Sequence, residues 1–197
     1  MITRPASSAN EVLGLLVFFA VHSVAIVVPR WRDAMALRLG LPVWQALYSL
    51  LSFAGLLLII HGFAVARLAP VVLYTPAAAM RTIAMVLMVP VFPLLLATYL
   101  PGRIKSAARH PTLVAVKLWA LAHLLANGTA ADVLLFGGFL AWAVLDRISL
   151  KRRPAKVGRA APPRKWNDLV AIVLGLALYA LTIAWAHQRL FGVAPLA

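Results

Sequence analysis

Six near-continuous apolar runs constrain this 197-residue chain more than any other feature: Val12–Val28, Trp44–Ala66, Thr82–Leu100, Thr112–Ala126, Thr129–Leu145 and Leu169–Ala186. A helix needs ~20 apolar residues to cross ~30 Å of hydrocarbon, and most of these runs approach that length, the fourth and fifth being the short ones. Inside lipid every backbone N–H and C=O must be paired, which a helix achieves within one segment. The expected fold class is all-α, a polytopic membrane bundle of about six transmembrane helices. A composition of 63% hydrophobic and 12% charged residues agrees, since a soluble domain carries about twice that charge.

The net charge of +14 would suggest a nucleic-acid partner in a soluble protein, but here the cations sit between the apolar runs. The loop after the first run holds Arg30, Arg32 and Arg38, and that after the third holds Arg103, Lys105 and Arg109. The loop after the fifth adds Arg147, Lys151, Arg152, Arg153, Lys156, Arg159, Arg164 and Lys165. Only Arg4, Arg67, Arg81 and Arg189 lie on the other side, and Lys117 falls within a run. Basic loops stay cytoplasmic, so both termini are expected outside and no nucleic acid is expected as a partner. The first run has a lone Arg4 before it, Glu11 at its edge and arginines after it, so an uncleaved helix is expected rather than a signal peptide. Without cysteine, disulfides and thiolate chemistry are excluded.

Pro90 and Pro93 each remove a donor from the third run and predict a kink there. Asn127-Gly128 predicts a helix stop and a tight hairpin, with Asp132 as a cap or dipole partner of the next helix. Residues 148–165 read as a basic cytoplasmic loop able to rest on anionic membrane lipids, followed by a final helix over 169–186. There is no internal repeat, and residues 1–197 read as a single transmembrane domain.

Depth separates the five histidines. At ~1.5 Å per residue, His22 lies roughly 9 Å in from the cytoplasmic end of the first run, and His123 roughly 16 Å in from that of the fourth. His61 and His187 belong to the outer interface, and His110 to a cytoplasmic loop. An imidazole deep in lipid needs a use for its nitrogens. Two at overlapping depth on different helices either hydrogen-bond neighbouring helices or ligate one metal, for which a haem iron is the suitable choice. Zinc is the lesser option because no third ligand lies at that depth, and no acid completes a serine triad there. Trp119 and Asn127 share the face of His123, so Trp119 could flank a flat cofactor and Asn127 or Asp132 could hold the second imidazole nitrogen. Arg30, Arg103, Lys105 and Arg109 stand at the edge where cofactor carboxylates would emerge, although orientation alone also accounts for them. Lys117 is close enough to the headgroups to snorkel.

The stretches FFAVHSV (Phe18–Val24), YLPGRIKSAARHP (Tyr99–Pro111), VKLWALAHLLANG (Val116–Gly128) and FLAWAVLDRISLKRR (Phe139–Arg153) resemble the NnrU family of bacterial inner-membrane proteins, which is itself similar to zeta-carotene isomerase. The resemblance runs from about Leu13 to Arg153; the segment beyond resembles nothing specific beyond a final span. It implies a haem b whose iron is held by His22 and by His123 of LWALAH, with Ala120 where the isomerase has a cysteine implicated in redox-dependent ligand exchange. It also implies a link to nitrogen-oxide metabolism and denitrification. Arg109-His110-Pro111 resembles a motif of membrane methyltransferases that bind S-adenosylmethionine, but Thr112–Val116 lacks their tyrosine and glycine, and no glutamate follows Glu11. Pro111 has a structural use as the first residue of a helix.

The expectation is thus a bacterial inner-membrane protein holding haem b through His22 and His123, with Arg109, Arg30 and Trp119 as further cofactor contacts. Membrane lipids, a small gaseous or lipidic ligand and an electron-transfer partner are the expected partners, with cis-trans isomerisation of a polyene as the candidate reaction. A non-haem assembly partner of a respiratory complex and a methyltransferase-like protein are the alternatives.

Overall fold

The computed structural model describes residues 6–152 and 164–196, and every regular element among them is helical. The helices are α1 (Ala6–Val27), α2 (Pro29–Leu39), α3 (Leu41–Ala66), α4 (Ala78–Met88), α5 (Val91–Tyr99), α6 (Arg103–Ala108), α7 (Pro111–Ala126), α8 (Ala130–Arg152), α9 (Lys165–Leu181) and α10 (His187–Phe191). A π-helical turn, Thr182–Ala186, joins the last two. Five helical segments are long and apolar enough to cross a membrane: Ala9–Val27, Leu41–Ala66, Ala78–Tyr99, Ala130–Arg152 and Trp166–Phe191. The protein is a membrane protein of the all-α class.

The structure keeps the fourth expected span short and lengthens the fifth and the last. The fourth, α7, has 16 residues, a rise of roughly 24 Å that falls short of the hydrocarbon thickness. The fifth was expected to stop at Leu145, yet α8 continues to Arg152 and has 23 residues. Charge ends the apolar run there but does not end the helix: no Gly or Pro occurs from Asp146 to Arg152, and Lys151 and Arg152 suit a helix C-terminus. Residues 148–152 of the expected basic loop are therefore helical. Arg4, Arg153, Lys156 and Arg159 lie outside the described residues. The final helix begins at Lys165 rather than 169 and runs on through the π turn to Phe191.

The helices group into two compact units. The first comprises α1–α3, the loop to Thr75, and Asn127 onward through α8. In it α1 and α3 pack antiparallel at backbone distance: a Cβ on Gly14 would lie 2.5 Å from Ile59 N, one on Gly55 3.0 Å from Phe18 N, and one on Gly62 2.6 Å from Glu11 Cα. Small residues permit this approach, which replaces hydrophobic drive with dispersion contact inside lipid. Gly40, at φ 78°, turns the chain from α2 into α3. From α8, Phe139 meets Phe18 (5.4 Å between centroids) and Phe19 (5.0 Å), and Phe136 meets Phe63 at 6.2 Å. The loop before α4 is tied to the start of α8: Leu73 N and Tyr74 N donate to Gly128 O at 2.8 and 3.1 Å, and Ala130 N donates to Val71 O at 2.8 Å.

The second unit comprises Pro76–Ala126 with α9, the π turn and α10. The expected kink is a break: α4 stops at Met88 and α5 starts at Val91, flanking Pro90. Pro90 has no N–H for Val86 O, and Val89 N turns one residue short to take that carbonyl at 3.2 Å. Met85 O thereby loses its helical donor and accepts the Tyr179 hydroxyl of α9 at 2.8 Å. Lower down, Gly175 of α9 abuts Pro93, where a Cβ would lie 2.6 Å from Pro93 Cα. The buried residues of α7 are mostly small: Ala115, Ala120 and Ala122, with Leu113 and Pro111. Asp168 of α9 accepts Arg103 N (2.8 Å) and Ile104 N (3.0 Å), and Asn167 Nδ2 donates to Pro101 O at 2.8 Å, clasping α6 to the start of α9.

Candidate functional site

In the first unit His22 sits near the end of α1, and its Nδ1 lies 2.8 Å from the carbonyl of Phe18, one turn back. A carbonyl can only accept, so Nδ1 carries the proton and Nε2 of the neutral ring is the lone-pair nitrogen. The imidazole stacks on Phe18 (3.9 Å between centroids, 19° between planes) and is flanked by Tyr48 of α3 at 5.2 Å and Trp142 of α8 at 5.8 Å. Three helices thus fix its orientation. Beside it opens a cavity of about 500 Å³ lined by His22, Arg32, Trp44, Tyr48 and Ser49 among others, a volume within the usual range for small-molecule sites. The Trp142 indole N–H, edge-on to the imidazole, is buried with no hydrogen-bond partner.

In the second unit His123 repeats the arrangement on α7. Its Nδ1 lies 2.8 Å from Trp119 O, again one turn back and again from an aromatic residue, with the rings 5.3 Å apart at 51°. The same reasoning leaves Nε2 as the lone-pair nitrogen. Trp119, expected as a cofactor flank, is thus a neighbour of His123 through both carbonyl and ring. Ala120, the next residue of α7, is buried.

The other expected residues separate. On α2, Arg30 is exposed, whereas Arg32 lines the His22 cavity and pairs with Asp33 at 2.6 Å. Arg109 is exposed at φ 59°, ending α6 through Arg109 N to Lys105 O at 2.9 Å; it stands at the opposite end of α7 from His123. Pro111 opens α7, with the His110 carbonyl accepting Leu113 N at 3.1 Å. Lys105 Nζ donates to Thr98 O at 2.6 Å. Asp132 caps its own helix: its Oδ2 accepts Thr129 N (3.0 Å) and Thr129 Oγ1 (2.6 Å), while Asp132 N donates to Thr129 Oγ1 (3.2 Å). The Asn127 carbonyl accepts the Tyr74 hydroxyl at 2.6 Å, and burial, then the charge of Asp132, pushes the Tyr74 hydroxyl above its usual value. His61 is exposed on α3, and His187 Nδ1 meets Val193 O at 2.7 Å.

Sequence reasoning passed over Tyr48, Trp44 and Trp142 around His22, and read Arg32 only as an orientation determinant. A signal existed: in an antiparallel α1–α3 pair, residues early in α3 lie level with the end of α1. Glu11, noted only as a flank of the first run, is 1% exposed.

No curated protein and no solved structure matches this chain. The family described as NnrU protein matches residues 12–195, which brings in the segment after Arg153 that resembled nothing specific. Most of the chain is covered, and it belongs to the NnrU family.

Proposed function

We propose that this NnrU-family protein binds haem b in the bacterial inner membrane, with His22 and His123 as the residues that hold the iron. The observation that carries the reading is the matched setting of the two imidazoles. Each is locked by an Nδ1–H bond to a carbonyl one turn back, which selects the tautomer and raises the basicity of Nε2, as a metal-ligating histidine requires. The partnerless Trp142 N–H and the cavity at His22 fit a flat group with polar edges. Arg32, whose exposed pair with Asp33 contributes at most about 1 kcal/mol, can turn to a carboxylate of such a group.

Bound haem supplies a redox-active iron that can take a small ligand such as nitric oxide or pass on an electron. The chain's own residues orient the imidazoles, exclude water through the Phe18, Tyr48 and Trp142 rings, and present Arg32 at the cavity. A role in nitrogen-oxide metabolism follows the family resemblance. The polyene isomerase reading keeps the histidine pair but lacks the thiol, since the chain has no cysteine.

Six alternating spans with cytoplasmic basic loops belong to the same proposal. Two pairings support it. The α6–α9 clasp joins the loops after the third and before the sixth run, and the Leu73–Gly128 bonds join those after the second and fourth. Each pair is one that alternation puts on a single side.

Absorption spectra of His22→Ala and His123→Ala, purified in detergent, test the site. Sharp low-spin bands of the wild type should be disturbed in both variants; their retention in either one removes that residue from the iron.

A further inference from the structure

Glu11 is the unexplained charge of the first unit. It lies in the first turn of the membrane-spanning part of α1, 1% exposed, and its Oε1 is buried with no hydrogen-bond partner. Its backbone is pressed against Gly62 of α3, leaving no room for a side chain there. The adjacent Phe63 meets Phe136, which stands one turn beyond Asp132 on α8, so Glu11 and Asp132 occupy one layer of the α1, α3 and α8 packing. Asp132 is itself only 7% exposed and is the charged group that bears on Glu11.

The two carboxyls differ in what holds their charge. Asp132 accepts two hydrogen bonds from Thr129 at a helix N-terminus, where backbone dipoles favour an anion. Glu11 has an empty acceptor and a like charge nearby, conditions that disfavour an ionised carboxylate. A positive ion must therefore accompany Glu11. A hard metal cation would require about six oxygen donors, and among the described residues no group of three or more His, Asp or Glu side chains is placed to hold a metal. A proton requires only the one empty oxygen.

Among the described residues, no cation from the other packed elements is placed against the Glu11 carboxyl. On α3, Gly62 presses on Glu11 while Leu58 and Ile59 face Gly14 one turn on; His61 is exposed, and Arg67 lies over the Phe63 ring at 6.0 Å. From the loop, Tyr74 donates its hydroxyl to Asn127 O.

We propose that Glu11 is a proton-binding site, set against the Thr129-bonded carboxyl of Asp132, at the end of α1 remote from His22 by roughly 16 Å. Intramembrane ionisable groups of this kind serve proton uptake and release. The inference is independent of haem.

Infrared difference titration of the full-length protein in detergent tests it. The wild type should show the carbonyl stretch of a protonated carboxylic acid at neutral pH, lost in Glu11→Gln and displaced in frequency and midpoint in Asp132→Asn. Glu11→Gln, which mimics the protonated acid, should leave the unfolding midpoint and any visible absorption unchanged. Absence of the band from wild type, its survival in Glu11→Gln, or destabilisation of that variant overturns the proton site. An Asp132→Asn band identical to wild type overturns the pairing.

Discussion

The Tyr179 hydroxyl donates to the Met85 carbonyl at 2.8 Å, completing a hydrogen bond that Pro90 takes away from α4. The proline break and the tyrosine one helix away are therefore one structural unit. Tyr179→Phe leaves that carbonyl without its donor at membrane depth, and should cost about 1 kcal/mol, the order found for interhelical bonds in membranes. Unfolding in mixed detergent, compared with wild type, measures it.

Close packing of α1 on α3 makes a contrasting pair of glycine substitutions informative. Gly14→Val drives a side chain onto Ile59 N and the Leu58 Cβ, 2.5 and 2.9 Å from an ideal Cβ, and should cost about 1–3 kcal/mol. Gly137→Ala meets nothing within 4 Å and should be neutral or stabilising by up to about 1 kcal/mol through helix propensity. Equal effects of the two would contradict the antiparallel contact.

Asp168 is the cap of a helix to which it is not joined in sequence. Asp168→Ala should release the Arg103 and Ile104 N–H groups at a cost of about 1 kcal/mol, with Asp168→Asn milder. Faster hydrogen exchange at those two amides, with little change at Thr98, is the expected reading.

Arg32 and Arg30 are two residues apart, yet only Arg32 is among the residues lining the His22 cavity. Arg32→Gln should lower haem content severalfold and Arg30→Gln should leave it close to wild type, as measured by haem absorbance per protein. The reverse order would remove the cavity from the site.

Helix class and the apolar segments were legible in the sequence because lipid imposes one backbone solution on long apolar runs. So was the Pro90 break, since a missing N–H acts locally. Helix ends were not: α8 and α9 extend through charged residues that end an apolar run without disturbing backbone hydrogen bonds. Among site residues, His22 and His123 stood out through depth and Trp119 through its spacing of one turn. Tyr48, Trp142 and Arg32 come to His22 from other helices, so their role depends on the register of α1 against α3, set by Gly14, Gly55 and Gly62. Glu11 looked like a flanking charge because one-dimensional depth cannot show that Gly62 and α8 enclose it.

The most direct measurement is the absorption spectrum of wild-type protein purified in detergent from haem-producing cells, oxidised and then reduced. A coloured protein with sharp low-spin bands that intensify on reduction is the expected result. A colourless protein that stays so after reconstitution with haem would contradict the assignment of His22 and His123.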